Sequence, residues 1–221
     1  MTHMLVLRPQ PGADSTVERA RALGLEAIAI PLFETEAEGW DAPEAGAFDG
    51  LLLTSANAVR MGGDRLKALR ALPVYAVGET TAEAAREAGF DVAATGGAGI
   101  DRLLASIAPD LKLLHLCGAD RREPDDGYRQ IVPVVVYRAR PVETPDLSAT
   151  PGSIALIHSP SAGRRFSGLV TDRGSIGIAA ISEAAAKAVG DGWRTVAIAA
   201  QPNDDALLAL AARLCDKPHP K

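Results

Sequence analysis

A strand that ends in serine occurs twice in this chain at a constant offset, and that repeat limits the possible folds more than any other feature. Leu51-Leu52-Leu53-Thr54-Ser55-Ala56-Asn57-Ala58 returns as Ala155-Leu156-Ile157-His158-Ser159-Pro160-Ser161-Ala162. Ser55 and Ser159 stand 104 residues apart, and the same offset carries Ala76-Val77-Gly78-Glu79 onto Ala180-Ile181-Ser182-Glu183. It also carries Val92-Ala93 onto Val196-Ala197 and Leu103-Leu104-Ala105 onto Leu207-Leu208-Ala209. Alanine matches weigh little in so alanine-rich a chain. Paired serines, glutamates and leucines in one gap-free register weigh more. A duplicated half predicts two similar lobes, with a cleft between them as the place for function. With 221 residues, two domains of about 100 residues each fit the usual size range.

Strand and helix patterns alternate along the chain. Met4-Leu5-Val6-Leu7 reads as a buried strand closed by Arg8-Pro9. Ser15 with Glu18 predicts a capping box, followed by an apolar stripe of Val17, Ala20, Ala22 and Leu23 that stops at Gly24. Ala27 to Leu32 is the next strand, and the acidic, turn-prone residues 34 to 47 read as a linker or surface loop. Further strands are predicted at Gly50 to Leu53, Val74 to Val77, Asp91 to Ala94, Leu113 to Cys117 and Val132 to Tyr137. Helices are predicted from Ser55, from a Thr80 cap with Glu83 behind it to Gly89, and from Asp101 to Ala108. The last part repeats the pattern: strand Ile154 to Ile157, helix from Ser159, strand Ile176 to Ile181, helix Glu183 to Val189, strand Thr195 to Ala199, helix Asp204 to Leu214. Apolar strands without strict alternation, each followed by a helix, predict an α/β protein whose parallel sheets are covered on both faces.

Composition excludes several classes of partner. Aromatic residues make up 4% of the chain and the net charge is −5, so neither stacking platforms nor a basic footprint for nucleic acid is present. An anionic small molecule would need local arginines or backbone N–H groups. No apolar run approaches the ~20 residues of a membrane span, and the opening residues carry no secretory pattern. A soluble, cytoplasmic monomer is expected, with Cys117 and Cys215 as buried thiols. No metal-ligand spacing, phosphate-binding loop, G-x-G-x-x-G turn or G-x-S-x-G elbow occurs, so no cofactor and no metal are expected.

In such folds ligands sit beyond the carboxyl ends of strands, which directs attention to the strand-to-helix junctions. Thr54-Ser55-Ala56-Asn57 and His158-Ser159-Pro160-Ser161 lie at equivalent junctions, as do Gly78-Glu79-Thr80-Thr81 and Ser182-Glu183-Ala184-Ala185. Free N–H groups and the positive end of a helix dipole make a junction suited to anions. The same serines suit plain N-capping, and the two roles are compatible. Tyr137 closes an apolar strand beside Arg138 and Arg140. A phenol, with an ordinary pKa of about 10, can donate a proton, and a core-edge tyrosine with a solvated hydroxyl is the plain alternative. Arg8, Arg60, Arg121, Arg122, Arg164 and Arg165 follow strands or sit in early helix turns, and about two of them are expected to touch ligand. His115 reads as a core residue within its apolar strand.

Taken in order, six segments resemble the uroporphyrinogen-III synthase family: Leu5-Val6-Leu7-Arg8-Pro9, Leu53-Thr54-Ser55-Ala56-Asn57-Ala58-Val59, Val77-Gly78-Glu79-Thr80-Thr81-Ala82, Val134-Val135-Val136-Tyr137-Arg138, His158-Ser159-Pro160-Ser161-Ala162 and Ala180-Ile181-Ser182-Glu183-Ala184. The resemblance covers nearly the whole chain. It implies two α/β lobes joined by a pair of extended strands, residues 1–34 with 138–221 forming one and residues 36–137 the other. It further implies cofactor-independent cyclisation of hydroxymethylbilane, a linear tetrapyrrole, to uroporphyrinogen III with loss of water and inversion of ring D. Tyr137 matches the tyrosine proposed to assist departure of the hydroxyl. The expected substrate-binding set is Arg8, Ser55, Ala56, Asn57, Gly78, Thr81, Ser159, Pro160, Ser161 and Ser182. Two departures stand out: Ala184-Ala185 where relatives often carry a threonine, and a short segment from Gly118 to Gln130. The alternative is a non-catalytic ligand-binding or regulatory module of the same fold. More remote is another two-lobed α/β protein that binds a polyanionic metabolite.

Overall fold

A computed structural model of the chain describes residues 2–97, 99–120 and 130–215. In chain order the elements are β1 (Met4–Val6), α1 (Gly12–Ala22), β2 (Ala27–Ala29), β3 (Phe33–Ala37), β4 (Gly50–Leu53), α2 (Ala56–Gly62), β5 (Val74–Val77), α3 (Glu79–Glu87) and β6 (Val92–Gly96). Then follow α4 (Ile100–Ala105), β7 (Leu113–Gly118), β8 (Ile131–Pro141), β9 (Ile154–Ile157), α5 (Pro160–Leu169), β10 (Gly177–Ala180), α6 (Glu183–Val189), β11 (Thr195–Ile198) and α7 (Asp204–Cys215). Shifting β4 by the repeat offset lands on β9 end for end, and α2, β5, α3, β6 and α4 shifted likewise start within one residue of α5, β10, α6, β11 and α7.

The chain divides into two compact units, Met1–Glu34 with Arg140–Lys221, and Thr35–Ala139. The first holds a sheet in the order β11-β10-β9-β1-β2, parallel throughout. Strands β1, β9 and β10 are buried at every position, because helices cover both of their faces. Ala13, Val17 and Ala20 of α1 pack with Leu207, Leu208, Leu210 and Ala211 of α7 on one side. Phe166 of α5 packs with Ala185 and Val189 of α6 on the other. Both crowded faces require apolar side chains at consecutive strand positions, which is why these strands lack alternation.

The second unit has the order β3-β8-β7-β4-β5-β6. Strands β8, β7, β4, β5 and β6 are parallel. Ala56, Ala58 and Val59 of α2 and Ala82, Ala84 and Ala85 of α3 cover one face, and Ile100, Leu103 and Leu104 of α4 the other. Strand β3 runs antiparallel to β8: Glu38 N–H donates to Val136 O and Val142 N–H to Leu32 O, so residue numbers rise on one strand as they fall on the other. Both chain crossings between the units fall on β3 and β8.

Several local expectations are corrected. Helix α1 begins at Gly12 rather than near Ser15, with Pro11 at the N-cap and no side-chain cap bond. Ser15 and Glu18 are exposed; the buried stripe is Ala13, Thr16, Val17 and Ala20, and Leu23 is 63% exposed. Helix α3 is opened by Gly78, not Thr80, in a left-handed conformation (φ 86°) that only glycine adopts without strain. Within the acidic stretch read as loop, residues up to Ala37 form β3, since the partner strand β8 supplies its hydrogen bonds. Cys117 is buried, whereas Cys215 at the end of α7 is half-buried. Arg121, Arg122 and most of Gly118 to Gln130, the connection whose length stood out, lie outside the described residues. His115 is buried as its apolar strand predicts, with its ring Nε2 3.0 Å from Thr54 Oγ1. Among the described residues no helix is long and apolar enough to cross a membrane, and no group of three or more His, Cys, Asp or Glu could hold a metal ion.

Candidate active site

Each sheet reverses its winding once. In the first unit the chain moves outward from β1 to β2 and, in the opposite direction, from β9 through β10 to β11. In the second it moves from β4 through β5 to β6 one way and from β7 to β8 the other. At such a switch point the connections leave to opposite sides and open a crevice beyond the strand carboxyl ends. Ser55 and Ser159 follow β4 and β9, the strands beside these points, and Ser182 follows β10, one strand further out.

Ser55, Ser159 and Ser182 are all extended residues that cap the following helix. Ser55 Oγ accepts from Asn57 N–H at 3.2 Å, Ser159 Oγ from Ala162 N–H at 3.1 Å, and Ser182 Oγ from Ala185 N–H at 3.3 Å. A hydroxyl has one donor and two acceptor positions. Capping uses an acceptor and leaves the O–H free to donate to an anion. The cap reading and the ligand reading therefore hold together at all three positions.

In the second unit the pairings continue into one row of residues across the carboxyl edge. Leu53, the last residue of β4, is opposite Ala76 on β5 and Leu116 on β7, so Ser55, Gly78 and Gly118 each stand two residues past one aligned trio. Gly118 in turn pairs with Tyr137. The Tyr137 ring packs against the cluster formed by α2 and α3. Asn57 is half-buried, its amide 3.5 Å from both Thr35 Oγ1 and Arg60 Nη1. Ala56 and Thr81 do not join this row: Ala56 is 7% exposed in the core and Thr81 5% exposed inside α3. Gly78 belongs to the row through its backbone.

In the first unit Ser159 and Ser182 share the corresponding row, since Ile157 pairs with Ala180. Pro160 and Ser161 open α5 beside Ser159, and both are half-buried. Arg8 extends β1 opposite His158, by continuation of the Met4–Ile154 register. Its guanidinium lies over the start of α1, where a Cβ on Gly12 would come within 2.6 Å of Arg8 Nε. Arg8 and His158 converge on Asp204 at the first turn of α7. Asp204 accepts from His158 Nε2–H at 2.9 Å, from Thr16 Oγ1–H at 2.9 Å and from Arg19 Nη1–H at 2.8 Å, and pairs with Arg8 Nη1 at 3.7 Å. Burial pushes the Asp204 carboxyl up, but the His158 bond and charge, the Thr16 hydroxyl and Arg8 together hold it below the ordinary carboxylate value. The His158 side chain is 8% exposed, and its Nδ1 is buried without a hydrogen-bond partner.

Neither Asp204 nor Gly118 is among the site residues expected from the sequence. An acidic residue at a helix N-terminus is a local signal for Asp204, but nothing local links it to Thr16, 188 residues away. Of the other arginines, Arg165 is structural: its Nε–H donates to Leu32 O at 3.0 Å, its Nη2–H donates to Val142 O, and it lies over the Phe33 ring. Arg164 stands 3.4 Å from Ser161 Oγ on the surface. Arg138 pairs with Glu38 across β3 and β8.

The family model for uroporphyrinogen-III synthase HemD (HEM4) matches residues 14–209. The chain belongs to the uroporphyrinogen-III synthase family. Within that family it is 31% identical over 101 residues to the uroporphyrinogen-III synthase of Chlorobaculum parvum. That alignment covers 42% of this chain and 41% of the relative, so the chain spans less than half the length of the curated relative it matches. Among solved structures, uroporphyrinogen-III synthetase from Helicobacter pylori superposes with a TM-score of 0.67 at 19% identity, covering 97% of this chain and all of that one. A mutant uroporphyrinogen III synthase from the extremely thermophilic bacterium Thermus thermophilus gives 0.50 at 18% identity, over 98% and 100% of the two chains. At these identities the likeness bears on the fold, and the α/β family architecture accords with the two sheets, one parallel and the other parallel but for β3.

Proposed function

We propose that this protein is a uroporphyrinogen-III synthase, converting hydroxymethylbilane to uroporphyrinogen III with loss of water and inversion of ring D. The observation that carries this reading is the row at the carboxyl edge of the second sheet, in which the Tyr137 phenol stands two strands from the helix-opening Ser55 in a chain matched to the family over residues 14–209. Departure of the substrate hydroxyl needs a proton. As its C–O bond breaks, the Tyr137 O–H donates to the leaving oxygen, and water departs. Acetate and propionate arms require donors. Ser55, Ser159, Ser182 and Arg8 offer O–H and N–H groups beyond those used in their structural bonds.

The substrate also closes unaided, to the uninverted isomer. The protein's contribution is therefore chiefly orientation: ring D must be held so that its substituted carbon reacts first. No metal or organic cofactor takes part in this reading, and the substrate is the one small-molecule partner it requires. The test is an isomer assay. Purified protein supplied with freshly made hydroxymethylbilane should yield mainly the type III product, resolved by chromatography. Type I product alone, at the unassisted rate, would rule the activity out.

A further inference from the structure

The ring of Tyr137 is seated on a glycine. A Cβ built on Gly118 would lie 2.7 Å from Tyr137 Cζ, 2.8 Å from Cε2 and 3.0 Å from Oη. These are the atoms at the phenolic tip, not at the root of the side chain. The hydroxyl end itself therefore occupies the space that any side chain at position 118 would fill. Real Cβ atoms do not approach so closely, so an alanine here must displace either the tip or the strand.

Two further observations show how the tip comes to lie there. The register between β7 and β8 shifts between Cys117, opposite Val135, and Gly118, opposite Tyr137. Val136 is the extra residue, a bulge of the kind that re-aims a side chain. In a regular strand, Val136 and Tyr137 would point to opposite faces. Here Val136 is fully buried in the cluster beneath α2 and α3, and Tyr137 packs against that same cluster. The bulge turns Tyr137 onto the face covered by α2 and α3, and the bare Cα of Gly118 gives the ring room to lie down. Ala119 N–H then donates to Tyr137 O at 3.0 Å and ties the two strands together just past the contact.

From this geometry we infer that Gly118 is a positioning residue for the Tyr137 hydroxyl. It contributes no group to the reaction. It sets where the proton donor sits by having no side chain, and with the bulge at Val136 it fixes the phenol in the row shared with Ser55 and Gly78. The inference rests on the proton-donor reading of Tyr137 given above.

A double-mutant cycle tests it. Gly118→Ala should lower kcat by roughly 10²-fold, the scale of a misplacement of about 1 Å, with KM little changed. Tyr137→Phe should lower kcat as well. Adding Gly118→Ala to Tyr137→Phe should slow turnover no further, since no hydroxyl is left to misplace. An equal further loss in that background, or full activity of Gly118→Ala alone, overturns the inference. Undiminished turnover of Tyr137→Phe would instead remove the proton-donor reading, a separate result. If Gly118→Ala does not fold, Gly118→Ala combined with Tyr137→Ala decides. With the ring gone, the added methyl should be accommodated and folding restored. Failure of that double variant to fold would show that the glycine answers to the backbone and not to the tyrosine.

Discussion

The two units build one sheet core from the same repeated segment and complete it from opposite directions along the chain. In both, three strands and three helices come from the repeat: β4-α2-β5-α3-β6-α4 in one unit and β9-α5-β10-α6-β11-α7 in the other. The remaining two parallel strands precede the repeat in the first unit (β1 and β2) and follow it in the second (β7 and β8). At the switch points the chemistry then diverges. His158 and Asp204 of the first unit correspond by the repeat to Thr54 and Ile100 of the second. One scaffold position thus holds a charged hub with four partners, and its counterpart a buried isoleucine. Where the second unit lays Tyr137 over Gly118, the edge of the first runs through Ile30 and Leu32, both buried. Duplication preserved the apolar frame, which is held by packing on two faces. The residues just past the strands differ, each held by its own local partners: polar ones around Asp204, apolar ones around Ile100, Ile30 and Leu32.

The largest expected effect separates the two cores. Phe166 is fully buried and stacks on Trp193 at 5.4 Å in the first unit, whereas the repeat places Gly62 at the matching position of the second. Phe166→Ala should cost about 3–5 kcal/mol. Hydrogen exchange read by mass spectrometry should show protection lost in β9 and β10 and kept in β4 and β7. Equal loss in both would mean that the units share one cooperative core.

Next comes the hub. Replacing Asp204 by Asn leaves Arg8, Arg19 and His158 without their common anion, and should cost about 1–3 kcal/mol in chemical denaturation at neutral pH. The pH dependence has a definite sign. The folded-state pKa of Asp204 lies below its ordinary value of 3.8, so its contribution is complete above that value. The contribution disappears as the pH falls through the lower, folded-state value. The variant should therefore lose less stability than the parent on acidification below about pH 4. An identical acid profile would show that the hub contributes no linked protonation.

The smallest effect distinguishes capping from ligand contact at the matched serines. Ser159→Ala and Ser55→Ala should each cost about 1 kcal/mol, and the glycine versions only a few tenths. If the hydroxyls also hold substrate arms, the glycine variants should keep their melting temperatures yet raise KM. An unchanged KM would leave these serines as caps alone.

How much was legible beforehand follows the same division. The strand at Gly50 to Leu53, its copy at Ile154 to Ile157 and the caps at Ser55 and Ser159 could be read directly, because each rests on a few consecutive side chains. Helix α1 was misplaced because Ser15 and Glu18 suit a capping box in isolation, whereas burial of Ala13 and Thr16 against the sheet moved the start to Gly12. Strand β3 was hidden by its glutamates, since its pairing comes from β8, about 100 residues away in sequence. The row of Gly78, Ser55, Gly118 and Tyr137 needed the pairing register. The family resemblance named Tyr137, but not the glycine beneath it.

From its residues alone, then, this chain is an α/β protein with a repeated half and serine-opened helices, since apolar periodicity and capping are properties of neighbouring residues. Which distant groups meet was decided by the folded sheets. Asp204 could have paired with many cations and Tyr137 could have faced either side of its strand. Register, a one-residue bulge and two-sided packing chose among those options, and no local pattern encodes that choice.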